Sequence, residues 1–150
     1  MKVYRIASKQ YAGDLSGTGA AIYNGRWNKK GIPVLYTGES VEIALLEIVV
    51  HTPPMLVPAL DLVTLEIPED SVEVITVNAL PKNWRDYPAP SILAEIGEQW
   101  IKENKAMALR VPSCISPTAS VYVLNTRHAD FAKIELISRE NFNFDPRLKS

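Results

Sequence analysis

Only two stretches of this chain carry apolar residues at helical spacing. The first opens at Ser40, a residue suited to an N-cap, and must stop before Pro53-Pro54; the second opens at Ser91. The remaining apolar sequence falls into short β-branched or aromatic runs: Lys2–Ile6, Pro33–Thr37, Leu60–Ile67, Val72–Val77, Met107–Val111, Val121–Leu124 and Lys133–Ile137. Strand candidates outnumber helices by about three to one, without the strict alternation a parallel sheet needs. The pattern predicts an α+β domain with mostly antiparallel strands, and the turn-rich Pro68–Ser71 predicts a hairpin between the third and fourth strands. The first helix is apolar on nearly every face, which places it in the middle of the fold, whereas the second has a single stripe of Ile92, Leu93, Ile96, Trp100 and Ile101.

With 47% apolar and 22% charged residues the sequence is that of a folded chain, and its 150 residues fit one domain, 1–150. A net charge of −1, a pI near 6.1 and the lack of any lysine or arginine run exclude the usual footprint of direct nucleic-acid or anionic-membrane binding. The single cysteine, Cys114, rules out an internal disulfide, and with two histidines no Cys/His zinc site of ordinary spacing can be assembled, so no metal is expected. The opening MKVYRIASKQY shows no secretory signal and no apolar run approaches a membrane span. A cytoplasmic, reducing location is the expectation.

Chemistry concentrates in GRWNKKGIPVLYTGESVEIALLEIVVH, residues 25–51. Glu47 interrupts an otherwise apolar segment; such a carboxylate pairs with a cation, reaches a surface stripe, or is kept for function at some cost in stability. His51, four residues on, can be its neighbour on the same helix face. Arg26 is either a solvated loop arginine or a guanidinium gripping phosphate or carboxylate in both prongs. Tyr36 at a strand end is core, rim or ligand platform. Ser113 and Cys114 invite a nucleophile reading with His51 or His128, but no nucleophile elbow, P-loop or dinucleotide fingerprint is present. Trp84, Arg85, Tyr87 and Trp100 are residues able to stack on bases; without a basic surface they read as packing. The stretch Ala7–Asn24, glycine-rich around Asp14 and Ser16, is long enough for a functional loop.

Together these residues resemble the RES domain family, toxins of bacterial toxin–antitoxin pairs. The likeness runs through VYRI, DLSGTGA, GRWNKKG, PVLYT, SVEIALLEIVVH, LRVPS, LNTRHADF and FDPRL, nearly the whole chain. The arginine, glutamate and serine that characterise the family match Arg26, Glu47 and Ser113, and its tyrosine matches Tyr36. Two departures stand out: Asn24 replaces a frequent glycine, which the left-handed tolerance of asparagine makes mild, and Ser120 stands where many relatives have asparagine.

The resemblance implies an ADP-ribosyltransferase-like fold with a split antiparallel sheet and NAD in its cleft. It further implies an enzyme that degrades NAD as substrate, with no resident cofactor, cutting the nicotinamide–ribose bond as glycohydrolase or phosphorylase. In that reading Glu47 stabilises the oxocarbenium-like ribose, Arg26 holds the pyrophosphate and Tyr36 offers an aromatic face. Ser113 orients Glu47 or bonds the nicotinamide ribose. The implied partner is an Xre-type helix-turn-helix antitoxin that plugs the cleft. Transfer of ADP-ribose to a protein or nucleic acid is the alternative, and a non-enzymatic domain in which Arg26 and Glu47 pair in the core is the third. A homodimer stays open.

Overall fold

A computed structural model of the chain describes residues 1–51 and 59–149. Its strands are β1 (Lys2–Ser8), β2 (Val34–Gly38), β3 (Leu60–Glu66), β4 (Val72–Val74), β5 (Ala108–Pro112), β6 (Ser120–Asn125) and β7 (Glu135–Phe142), and its helices are α1 (Val41–His51) and α2 (Ser91–Glu103). The strands form one sheet in the order β4-β5-β6-β2-β1-β3-β7, antiparallel except for β4 on β5. This is the α+β, mostly antiparallel architecture the sequence pattern predicts.

The sheet is divided near its middle. β1 pairs with β3 along its whole length, from Lys2↔Glu66 to Ser8↔Leu60, yet shares only the register pair Tyr4↔Gly38 with β2. Two well-paired blocks, β4-β5-β6-β2 and β1-β3-β7, therefore meet at a thin seam. Alternation along β6 sends Val121 and Val123 to one face, with Trp27, Leu93 and Trp100, and Tyr122 and Leu124 to the other, with Val3, Leu35 and Met107. All six β6 residues are buried, as a central strand covered on both faces requires.

Three expectations are corrected. No hairpin joins β3 to β4: both edges of β3 are occupied by β1 and β7, and the three-residue β4 docks instead on β5, where Ser71 receives the Met107 amide on its side chain at 2.9 Å and the Ala108 amide on its carbonyl at 2.9 Å. Nor is α1 central. It lies on β1 and β2, burying only Ile43 and Ala44 and leaving Leu46 and Val50 exposed. Its start is as expected, with the Ile43 amide donating to Ser40 Oγ at 3.1 Å; its expected stop before Pro53-Pro54 lies outside the described residues. The N-cap of α2 is Pro90 rather than Ser91, and Ile92 leaves the buried stripe, which runs through Leu93, Gly97 and Trp100. Among the described residues no helix is long and apolar enough to cross a membrane.

Candidate active site

A cleft of about 1170 Å³ opens over the seam between β1 and β2, larger than the ~300–1,000 Å³ of ordinary small-ligand pockets. Its walls include Arg26, Tyr36, Glu47 and Ser113, so residues spread over almost ninety positions of sequence face one space.

Glu47 lies in the last two turns of α1, where helical geometry turns it toward the cleft beside His51. Ser113 Oγ donates to Glu47 Oε1 at 3.3 Å, and His51 Nε2 is 3.7 Å from Oε2. Ser113 follows the last residue of β5 and is wholly buried. Its hydroxyl accepts the amides of Ile115 and Ser116, both at 3.2 Å. With both acceptor sites taken, its one proton is aimed at the carboxylate, an arrangement better suited to orienting Glu47 than to nucleophilic attack. Burial pushes the Cys114 thiol up, a shift Arg26 opposes and Glu47 reinforces, which disfavours its thiolate. His128 accepts the Asp130 amide at 2.9 Å by the turn that follows β6, and it does not line the cleft.

Arg26 donates from Nη1 to the Trp84 carbonyl at 2.7 Å and from Nη2 to the Asp86 carbonyl at 3.0 Å. Among the described residues no carboxylate lies within ion-pair distance of it, so Arg26 and Glu47 are not a core salt bridge. The guanidinium is oriented by neutral groups and keeps its charge for a ligand. A second cleft-lining guanidinium, Arg5 on β1, is likewise held by a backbone carbonyl, that of Ala12 at 2.9 Å. Arg5 falls within the Lys2–Ile6 run, and nothing in the sequence pattern singles it out.

Tyr36 is more tightly built in than a free aromatic platform. Its hydroxyl donates to Asn28 Oδ1 at 2.6 Å and accepts the Trp27 amide at 3.1 Å, and burial holds its phenol well above the usual tyrosine range. Asn28 in turn donates to the Ala20 carbonyl at 2.9 Å, tying the glycine-rich loop to the Arg26 segment. Gly25 is what lets this cluster close: a Cβ there would overlap Asn28 Oδ1 and sit 2.8 Å from the Tyr36 hydroxyl. Asn28 and Gly25 carry no charge or nucleophile, and only their place in GRWN signals them. Asn24 does not use the left-handed region; its Oδ1 accepts the Lys30 amide at 2.7 Å. Ser120 accepts Arg110 Nε at 3.0 Å and is a structural residue on β6.

The geometry offers a held carboxylate, two guanidiniums that form no ion pair among the described residues, though Arg5 feels the charge of Asp14, and an enclosed phenol, a set suited to an anionic ligand with a reacting centre that becomes cationic. Among the described residues no cluster of His, Cys, Asp and Glu is placed to hold a metal ion.

The family description "RES domain" matches residues 2–145. A protein named Toxin Res from Yersinia enterocolitica is 36% identical over 152 residues, 99% of this chain and 100% of its own length. A Sphingobium protein named Prs ADP-ribosylating toxin is 36% identical over 141 residues, 91% of this chain and 88% of its own. A chain from the crystal structure of the M. tuberculosis MbcT-MbcA toxin-antitoxin complex shares the fold, with a TM-score of 0.79 at 20% identity over 98% of this chain and 85% of that one.

Proposed function

The chain belongs to the RES domain family, and on that premise we propose that it is the toxin of a bacterial toxin–antitoxin pair which destroys NAD by cleaving the nicotinamide–ribose bond. The observation that carries this reading is Glu47, held by the proton of Ser113 in the same cleft as an Arg26 whose charge no carboxylate cancels.

In this reading Arg26 and Arg5 take the pyrophosphate, whose binding as a fork-held anion suits guanidinium better than ammonium. Nicotinamide leaves as a neutral ring, the ribose carbon it vacates becomes electron-poor, and the Glu47 carboxylate stabilises that centre. Ser113 keeps the carboxylate aimed. Water or inorganic phosphate completes the reaction, giving ADP-ribose or its phosphate ester. Tyr36 contributes as a wall fixed by Asn28 rather than as a mobile stacking face. The test is NAD concentration after incubation with purified protein, with and without phosphate. NAD should fall with the wild-type chain and persist with Arg26→Ala or Glu47→Ala; variants that still deplete NAD and arrest growth would end the assignment.

A second reading, transfer of ADP-ribose to a macromolecule, is favoured by the name of the Sphingobium relative, an ADP-ribosylating toxin. Labelled NAD separates the two, since label ends on protein or nucleic acid in one case and on free ADP-ribose in the other. We also propose an antitoxin partner, supported by the toxin–antitoxin complex in which the shared fold occurs; that it is of Xre type and blocks the cleft rests on the family resemblance alone.

A further inference from the structure

Among the described large apolar side chains the two most exposed are Tyr87, at 86%, and Tyr23, at 76%, and both line the cleft. Packing accounts for the other aromatic residues near Tyr87 in sequence: Trp84 and Trp100 are 5% and 3% exposed, within the cluster under α2. It does not account for Tyr87.

The backbone that carries Tyr87 is tied from two sides. Arg26 holds the carbonyls of Trp84 and Asp86, and Arg85 donates from Nε to the Cys114 carbonyl at 2.9 Å and from Nη2 to the Ile115 carbonyl at 3.4 Å. Pro88 and Pro90 follow and restrict the chain further. Tyr87 is thus presented on a fixed wall, with little ordering left to lose on binding. Tyr23 stands three residues before Arg26 in the chain, on a cleft-lining loop closed by the Asn24 side chain on the Lys30 amide. Both tyrosines belong to segments that converge on one uncompensated guanidinium, at the exposed mouth of the cleft.

Glu47, 29% exposed, is held by the wholly buried Ser113, so its surroundings are more enclosed than those of Tyr23 and Tyr87. A dinucleotide with its pyrophosphate at Arg26 and its reacting ribose at Glu47 has its other nucleoside at the mouth. Resting on the NAD-degrading reading, we infer that Tyr23 and Tyr87 form the adenine subsite, stacking on the base and thereby setting affinity for the adenosine half of the substrate. Stacking uses the face of the ring and not its hydrogen-bonding edge, so the subsite recognises a planar base rather than a particular edge pattern.

The test is AMP, a probe that contains the adenosine half alone. Its dissociation constant, measured by calorimetry, should rise on the order of tenfold in Tyr87→Ala, should rise in Tyr23→Ala, and should stay near the wild-type value in Tyr87→Phe. Nicotinamide, as a product inhibitor, should be insensitive to all three, and the melting temperature should be unchanged because both side chains are exposed. With NAD as substrate Tyr87→Ala should raise KM and leave kcat alone. Equal AMP affinity in wild type and Tyr87→Ala, no AMP binding at all, or a loss confined to nicotinamide overturns the subsite. If the wild-type chain leaves NAD intact while Tyr87→Ala still weakens AMP, the subsite stands and the NAD-degrading reading falls.

Discussion

Replacing Ser113 by alanine separates the structural and chemical work of one hydroxyl. Two amides, of Ile115 and Ser116, lose their acceptor at 3.2 Å, and Glu47 loses its donor at 3.3 Å. The amide bonds are long and part-buried, so the low end of an unsatisfied donor applies, ~1 kcal/mol each. The resulting loss of ~2 kcal/mol lowers the melting temperature of a domain this size by about 4–8 °C. The bond to the carboxylate is charge-assisted and also long, worth ~1.5 kcal/mol, or about tenfold in turnover if fully expressed in the transition state. The assay pairs thermal melting with NAD-consumption kinetics at a temperature where both proteins are folded. Ser113→Ala should melt lower and lose kcat with KM little changed. An unchanged melting temperature would refute the hydrogen-bond accounting, and a raised KM with normal kcat would refute the positioning role, since it would mean that Ser113 binds substrate rather than aims Glu47.

Gly97→Ala tests the contact between α2 and the Arg26 segment: a Cβ on Gly97 would overlap the Trp27 carbonyl, so the helix must move. Alanine is intrinsically the better helix former by ~1 kcal/mol, yet the variant should be destabilised by at least the 1–3 kcal/mol typical of overpacking and should lose NAD-degrading activity; an equal or higher melting temperature refutes the contact. Tyr36→Phe tests the buried phenol. Burial raises its folded-state pKa above the unfolded value of about 10, so the folded state favours the protonated ring; that stability is full below pH about 10 and is lost as pH rises beyond it. The phenylalanine variant should be less stable near neutrality, having lost its bonds to Asn28 and Trp27, but its stability should fall less steeply above pH 10 in urea titrations. Parallel curves would show that Tyr36 does not titrate in this way.

Periodicity placed the strands and both helices, because alternation and helical spacing follow from burying one face, but β7 runs Glu135–Phe142 rather than Lys133–Ile137 and β4 stops at Val74 rather than Val77. It did not reveal which edges meet. β4 looks like a hairpin partner of β3 until the occupancy of both β3 edges is known, and that depends on β1 and β7 at opposite ends of the chain. The apolar composition of α1 likewise overstated its burial, since Leu46 and Val50 face outward. In the site, Arg26 and Glu47 were visible as charges in unusual company. Their holders were not: Arg26 is oriented by the backbone carbonyls of residues 84 and 86, and a carbonyl leaves no trace in side-chain chemistry. Tyr87 reads in sequence as one more packing aromatic, because its exposure is a property of the wall that presents it.

What keeps the two charged groups available is that neither is held by the other. Had Arg26 paired with Glu47, as a purely structural domain would allow, each would have neutralised the other and the cleft would carry no field for an anionic ligand. Here a hydroxyl orients the carboxylate and carbonyls orient the guanidinium, so direction is fixed while charge is left over. Those holders lie 66 and 58 positions away in sequence. The arrangement therefore exists only once β5 and the loop of residues 84–86 have docked around α1 and the Arg26 segment, which ties the preorganised electrostatics of the site to completion of the fold. A chain whose charged residues are intact but whose β5 is undocked keeps every side chain singled out in residues 25–51 and lacks the site.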